Sequence, residues 1–127
     1  MVVPAGWYPG LSRKLALTFE EGEVAGIEGD HTVGAWLGDL LKLGSSRATP
    51  RSRRNLAELG IGTNPGARPS VNTLESEKIL GTVHLAIGDS SHIGGQVEAD
   101  IHLDFVLPSP DLELDGDLVI KGGAWVC

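Results

Sequence analysis

Cysteine is all but absent from this 127-residue chain: one residue, Cys127, stands at its end, which excludes an intrachain disulfide and any cysteine-based zinc motif. A metal site here has to be built from histidine and carboxylate. Aromatic residues are scarce too, at three Trp, one Tyr and two Phe, too few for the stacking platforms that bind single-stranded nucleic acid. No apolar run approaches the roughly 20 residues that span a bilayer, and the Met1–Gly10 segment has neither the basic start nor the apolar middle of a signal peptide. These absences predict a soluble, cytoplasmic chain without a membrane or nucleic-acid partner. Also missing are a Gly-x-Ser-x-Gly elbow, a P-loop and a dinucleotide fingerprint. Serine and histidine adjoin in Gly88-Asp89-Ser90-Ser91-His92, but triad partners are not normally sequence neighbours, so serine-nucleophile chemistry is unsupported.

What is present suffices for one core. Hydrophobic residues make up 41% of the chain, which predicts a single domain over 1–127. Charge is uneven: residues 1–54 carry seven Lys/Arg against six Asp/Glu, for +1, and residues 55–127 carry three against eleven, for −8, so the second part is the acidic one. Arg47, Arg51, Arg53 and Arg54 resemble a phosphate-binding patch, but among Ser, Thr and Pro they read better as a solvated, mobile loop whose charge meets the acidic part or a neighbouring domain.

The patterning predicts an α+β domain dominated by antiparallel strands, with one well-marked amphipathic helix and one short helix. Residues 1–10, rich in Pro and Gly, predict no regular element. Lys14–Glu20 alternates Leu15, Leu17 and Phe19 with Ala16 and Thr18; Glu21-Gly22 turns the chain and Glu23–Glu28 returns. Val33, Trp36, Leu37, Leu40 and Leu41 keep helical spacing, with Asp30 or Thr32 as N-cap and Gly44 past the C-terminus. Strands are expected over Asn55–Ile61, Thr82–Ile87 and Val97–Leu107, a short helix around Thr73–Leu80, and a hairpin of Leu112–Leu114 and Leu118–Lys121 around Asp115-Gly116.

The most informative local pattern is Ile101-His102-Leu103-Asp104-Phe105. Period-two alternation turns Ile101, Leu103 and Phe105 to the core and sets His102 and Asp104 on the opposite face, Cα atoms roughly 7 Å apart. A divalent ion takes an imidazole nitrogen and a carboxylate oxygen at about 2.0–2.2 Å, and an i, i+2 pair on a strand supplies both. The same pattern also describes a polar face turned to solvent. His84, flanked by Thr82 and Ala86 on an otherwise apolar strand, needs a partner if buried, whether a metal, a carbonyl or a carboxylate. Glu58 is a lone acid in Leu56–Ile61 and fits either a ligand or an exposed edge strand. His31 reads as a surface residue, and His92, in the Ser90-Ser91-His92 loop, as an exposed residue or else a group that supports a ligand or takes part in catalysis.

Three motifs carry a resemblance. Asn55-Leu-Ala-Glu58-Leu-Gly-Ile-Gly-Thr-Asn-Pro-Gly66, Glu77-Lys-Ile-Leu-Gly-Thr-Val-His84-Leu-Ala-Ile-Gly-Asp89 and Gly95-Gln-Val-Glu-Ala-Asp-Ile-His102-Leu-Asp104-Phe, in this order, are similar to the aminopeptidase T and aminopeptidase S group of thermophilic-type, leucyl aminopeptidase-like metallopeptidases. The resemblance implies that Glu58, His84, His102 and Asp104 are metal ligands of a two-ion zinc or cobalt centre. The implied reaction removes the N-terminal residue of a peptide substrate, with paired ions activating water and polarising the scissile carbonyl. It further implies that the chain matches only the last third of longer family members, so that exposed apolar surface favours a homo-oligomer or a missing N-terminal region.

The chain departs from that pattern twice. The family's first glutamate follows a segment like Val3-Pro4-Ala5-Gly6, where this chain has Trp7, and a tyrosine found in some members seven residues after the ligand histidine is Ser91 here. Two other functions compete. A similar fold serves 2,5-dihydroxypyridine dioxygenases, and His84, His102 and Asp104 form a 2-His-1-carboxylate set for Fe(II). The departures also suit a non-catalytic metal-binding or dimerisation module.

Overall fold

The computed structural model describes residues 1–126, so Cys127 lies outside the described residues. Three small three-stranded antiparallel sheets and few helices make up the chain, as the α+β expectation has it. Two compact units contain them: Met1–Glu58 with Leu85–Phe105, and Leu59–His84 with the stretch from Val106.

In the first unit, β1 (Val2–Val3), β2 (Leu15–Glu20) and β3 (Glu23–Gly29) pair in that order. The segment read as irregular therefore contributes a short strand, because Val2 and Val3 pair with Ala16 and Leu15. Glu21 and Gly22 both take positive φ, at 51° and 78°, closing the β2–β3 hairpin. Its register slips between Thr18 and Phe19: Thr18 faces Gly26 while Phe19 faces Val24, so Ala25 is the extra residue of a bulge. Leu15 and Leu17 are buried as the alternation predicts, whereas Phe19, beyond the bulge, is half-exposed.

Helix α1 (His31–Leu41) buries Val33, Leu37 and Leu41. Asp30 caps it by accepting from the backbone N–H groups of Thr32 and Val33, each at 2.9 Å, and its other oxygen ties down Ser12 and Arg13. Lys42, at φ 45°, ends the helix in the left-handed conformation, and Gly44, placed past the C-terminus above, also takes positive φ, at 86°. The arginine-rich segment is no free loop. Ala48–Arg53 forms α2, Arg51 pairs with Glu23, and Arg53 makes a two-pronged ion pair with Asp100 of the acidic part. Arg54 is buried and donates to the carbonyl of Leu41, which ends α1, and to those of Lys42 and Ser45 just beyond it.

The remaining strands are β4 (Leu56–Ile61), β5 (Val83–Gly88) and β6 (His102–Leu107), in that order. In the first unit, Gly88 N donates to Asn55 O, and the Asn55 side chain returns a bond to Gly88 O. β6 is shorter than the Val97–Leu107 span expected. Residues 97–101 leave the ladder because Ser90 and Asp89 take the backbone groups of Val97, Ala99 and Ile101. Phe105 is fully buried and stacks on Tyr8, ring centroids 4.9 Å apart. Ile101 and Leu103 are only partly covered.

In the second unit, α3 is a single turn, Thr73–Ser76, capped by Asn72, and so shorter than the helix expected to reach Leu80. Gly81, at φ 84°, lies so close to Gly123 O that a Cβ would stand 1.9 Å from it. The chain ends in β7 (Leu112–Leu114), β8 (Asp117–Lys121) and β9 (Ala124–Trp125). The first two form the expected hairpin, and β9 has no counterpart in the sequence reading because two residues carry no periodicity.

Candidate metal centre

His102 and Asp104 lie two residues apart on β6 and share a face, as alternation requires. His102 Nε2 stands 3.5 Å from Asp104 Oδ1 and 3.4 Å from Glu58 Oε2. The three side chains are about a quarter exposed, at 23% for His102, 26% for Asp104 and 28% for Glu58. They are sheltered from bulk solvent yet open to a ligand.

The other ring nitrogen fixes the chemistry of this group. His102 Nδ1 lies 2.8 Å from the main-chain carbonyl of Asp89. A carbonyl can only accept, so Nδ1 carries the proton and Nε2 is the nitrogen turned toward the carboxylates. Imidazole with two carboxylates is a donor set that divalent zinc, cobalt or iron accepts.

His84, on β5, is buried in the second unit. Its imidazole lies flat against the backbone of Gly60, where an added Cβ would stand 2.0 Å from Cε1 and 2.2 Å from Nε2. Glycine inside a strand weakens it by leaving nothing to pack, and here the missing side chain makes room for the ring.

Asp89 is the residue that sequence reasoning passed over. Its carboxylate accepts from Ser91 Oγ at 2.8 Å, His92 Nδ1 at 2.7 Å, Ala99 N at 3.2 Å and His92 N at 3.5 Å. The bonds from His92 and then Ser91 hold it well below the usual carboxylate range. The Ser91 hydroxyl is thus committed to Asp89. His92 is exposed as expected, but its ring is fixed: it meets the His102 ring edge-on, centroids 4.6 Å apart. The available signal was a polar residue directly after an apolar strand, followed by Ser-Ser-His.

His31 opens α1 and is exposed, far from any role in this group. Trp7 is half-buried in a loop, its N–H donating to Pro4 O at 3.3 Å. Among the described residues no helix is long and apolar enough to cross a membrane.

No family profile matches the chain, and no curated protein matches it. Among solved structures it is similar to the 2,5-dihydroxypyridine dioxygenase of Pseudomonas putida KT2440, with a TM-score of 0.71 and 23% identity. The likeness covers 89% of this chain and 34% of that one, so this chain spans about a third of the length of the protein that it resembles. At that identity the fold is what the two share.

Proposed function

We propose that this chain is the metal-binding portion of a divalent-metal enzyme and that Glu58, His102 and Asp104 are metal ligands, with His84 added to them by the motif resemblance. The observation that carries the reading is His102 Nε2, turned by the bond from Nδ1 to the Asp89 carbonyl toward the carboxylates of Glu58 and Asp104.

The reaction we assign is hydrolysis of the N-terminal residue of a peptide. Its support is the three-motif resemblance together with the presence of Glu58, since a facial 2-His-1-carboxylate set leaves open the position that a fourth anionic ligand would take. An ion bound here supplies Lewis acidity toward a carbonyl and lowers the pKa of water. The residues themselves orient His102, keep a proton at its Nδ1, and offer negative charge to the free amine of the peptide.

A second reading is Fe(II)-dependent ring cleavage of a dihydroxylated heteroaromatic. The likeness of fold to a 2,5-dihydroxypyridine dioxygenase favours it.

One experiment separates the readings. The chain is reloaded anaerobically with zinc, cobalt or iron(II), dialysed, and assayed for bound metal, for hydrolysis of leucine p-nitroanilide, and for oxygen-dependent loss of 2,5-dihydroxypyridine absorbance. Retained zinc or cobalt with anilide hydrolysis supports the peptidase. Iron-dependent loss of the ring chromophore supports the second reading, and failure to retain any ion overturns both.

A further inference from the structure

Asp89 binds the chain at more points than a loop residue needs. Its N–H donates to Ile101 O at 2.7 Å, its carbonyl accepts from His102 Nδ1, and its carboxylate gathers Ser91, His92 and Ala99. The loop leaving β5 and the approach to β6 are thereby closed into one knot around a single residue. The carboxylate also acts on His102 by a second route. It holds the His92 ring, and that ring stands edge-on against the His102 imidazole and obstructs its rotation.

We infer that Asp89 is the positioning residue of the metal centre: the knot around its carboxylate holds its own carbonyl and the His92 ring in the places that fix His102 in one tautomer and one orientation. This rests on the metal-site reading above. The physical reason is that a ligating imidazole has two nitrogens and a freely turning ring. Without a partner on Nδ1 the ring shares its proton between both positions, and only part of the population offers Nε2 to an ion. A carbonyl does this only while its peptide plane is held, and the turn after β5 has no regular ladder to hold it. The carboxylate of the same residue takes that task through the backbone of Ala99 and the side chains of Ser91 and His92.

The test uses the full chain and two readouts. Nitrogen-15 imidazole spectra of the metal-free protein at pH 8 report the His102 tautomer, and competition against a chromophoric chelator reports zinc affinity. The parent is expected to show His102 as the Nδ1–H tautomer alone. Asp89→Ala should mix the tautomers and weaken zinc by about 10- to 100-fold. Asp89→Asn, which keeps one acceptor oxygen, should lose less than about tenfold and retain most of the Nδ1–H form. A folded Asp89→Ala with an unmixed tautomer and parental zinc affinity overturns the inference. If Asp89→Ala does not fold, Asp89→Asn decides: a tautomer spectrum and zinc affinity both identical to the parent overturn it, and a measurable shift in either supports it. Should the parent itself bind no zinc, the metal-site reading fails, while the tautomer spectra still decide whether Asp89 fixes His102.

Discussion

Gly60 and His84 occupy the same space: a methyl group on the glycine would stand 2.0 Å from Cε1, 2.2 Å from Nε2 and 2.8 Å from Nδ1 of the imidazole. Neither the strand backbone nor a buried ring can yield that much. Gly60→Ala is therefore expected to cost about 1–3 kcal/mol, the usual penalty of overpacking, and to displace His84. Urea denaturation gives the first quantity. A fall in zinc affinity beyond the loss of stability would report the second.

The metal ligands on β6 separate site from scaffold. Asp104→Asn removes one of the two carboxylates facing His102 Nε2, and His102→Ala removes the nitrogen itself. Both side chains are partly exposed, while the buried residues of this strand are Phe105, Val106 and Leu107. Each variant should lose high-affinity zinc binding and keep a cooperative unfolding transition. Calorimetric titration showing parental affinity in both would sink the assignment.

Acid stability turns on Asp30. The backbone N–H of Val33 above all, then the N–H groups of Arg13 and Ser12 and the Ser12 hydroxyl, lower its pKa from 3.8 to about 2 against the opposing effect of burial. A carboxylate whose pKa is depressed on folding stabilises the folded state above its unfolded value, and that contribution fades as pH falls through the folded value. Loss is thus expected between about pH 4 and pH 2. Asp30→Ala should lower the melting temperature at neutral pH by roughly 5 °C, as expected for a lost helix cap. It should also flatten the melting curve against pH across that window. A slope there as steep as the parent's would refute the role.

Arg54 is buried, with its guanidinium donating to Leu41 O at 2.8 Å, Ser45 O at 3.0 Å and Lys42 O. Arg54→Met keeps the stem but removes the guanidinium from the carbonyls of Leu41, Lys42 and Ser45, at an expected cost of about 2–4 kcal/mol. Lysine supplies a single ammonium in place of the planar fork and should restore only part of this. Chemical denaturation of both variants measures it, and equal stability of Arg54→Met and parent would show that water replaces the guanidinium.

Much of this was readable from residue order, and the boundary of legibility is physical. The β2–β3 hairpin, α1 and the β7–β8 hairpin announce themselves through apolar spacing and turn residues, which are local properties. The face shared by His102 and Asp104 follows from alternation alone. Ala48–Arg53 escaped because its arginines are satisfied by Glu23, Asp100 and the end of α1, distant partners that composition does not encode. β1 was missed for a similar reason, since two valines become a strand only when Leu15 and Ala16 lie beside them. Asp89 was hidden because half of its role belongs to a main-chain carbonyl, a group that every residue possesses.

The bulge at Ala25 also bears on how copies of this chain meet. β3 is the outer strand of its sheet, and a straight outer strand displays a regular row of unpaired N–H and C=O groups that can template another chain. An extra residue in that strand breaks the row and coils it, so an incoming strand finds its partners out of step. Deleting Ala25 would straighten the edge, and the expected consequence is cross-β aggregation at concentrations where the parent stays dispersed.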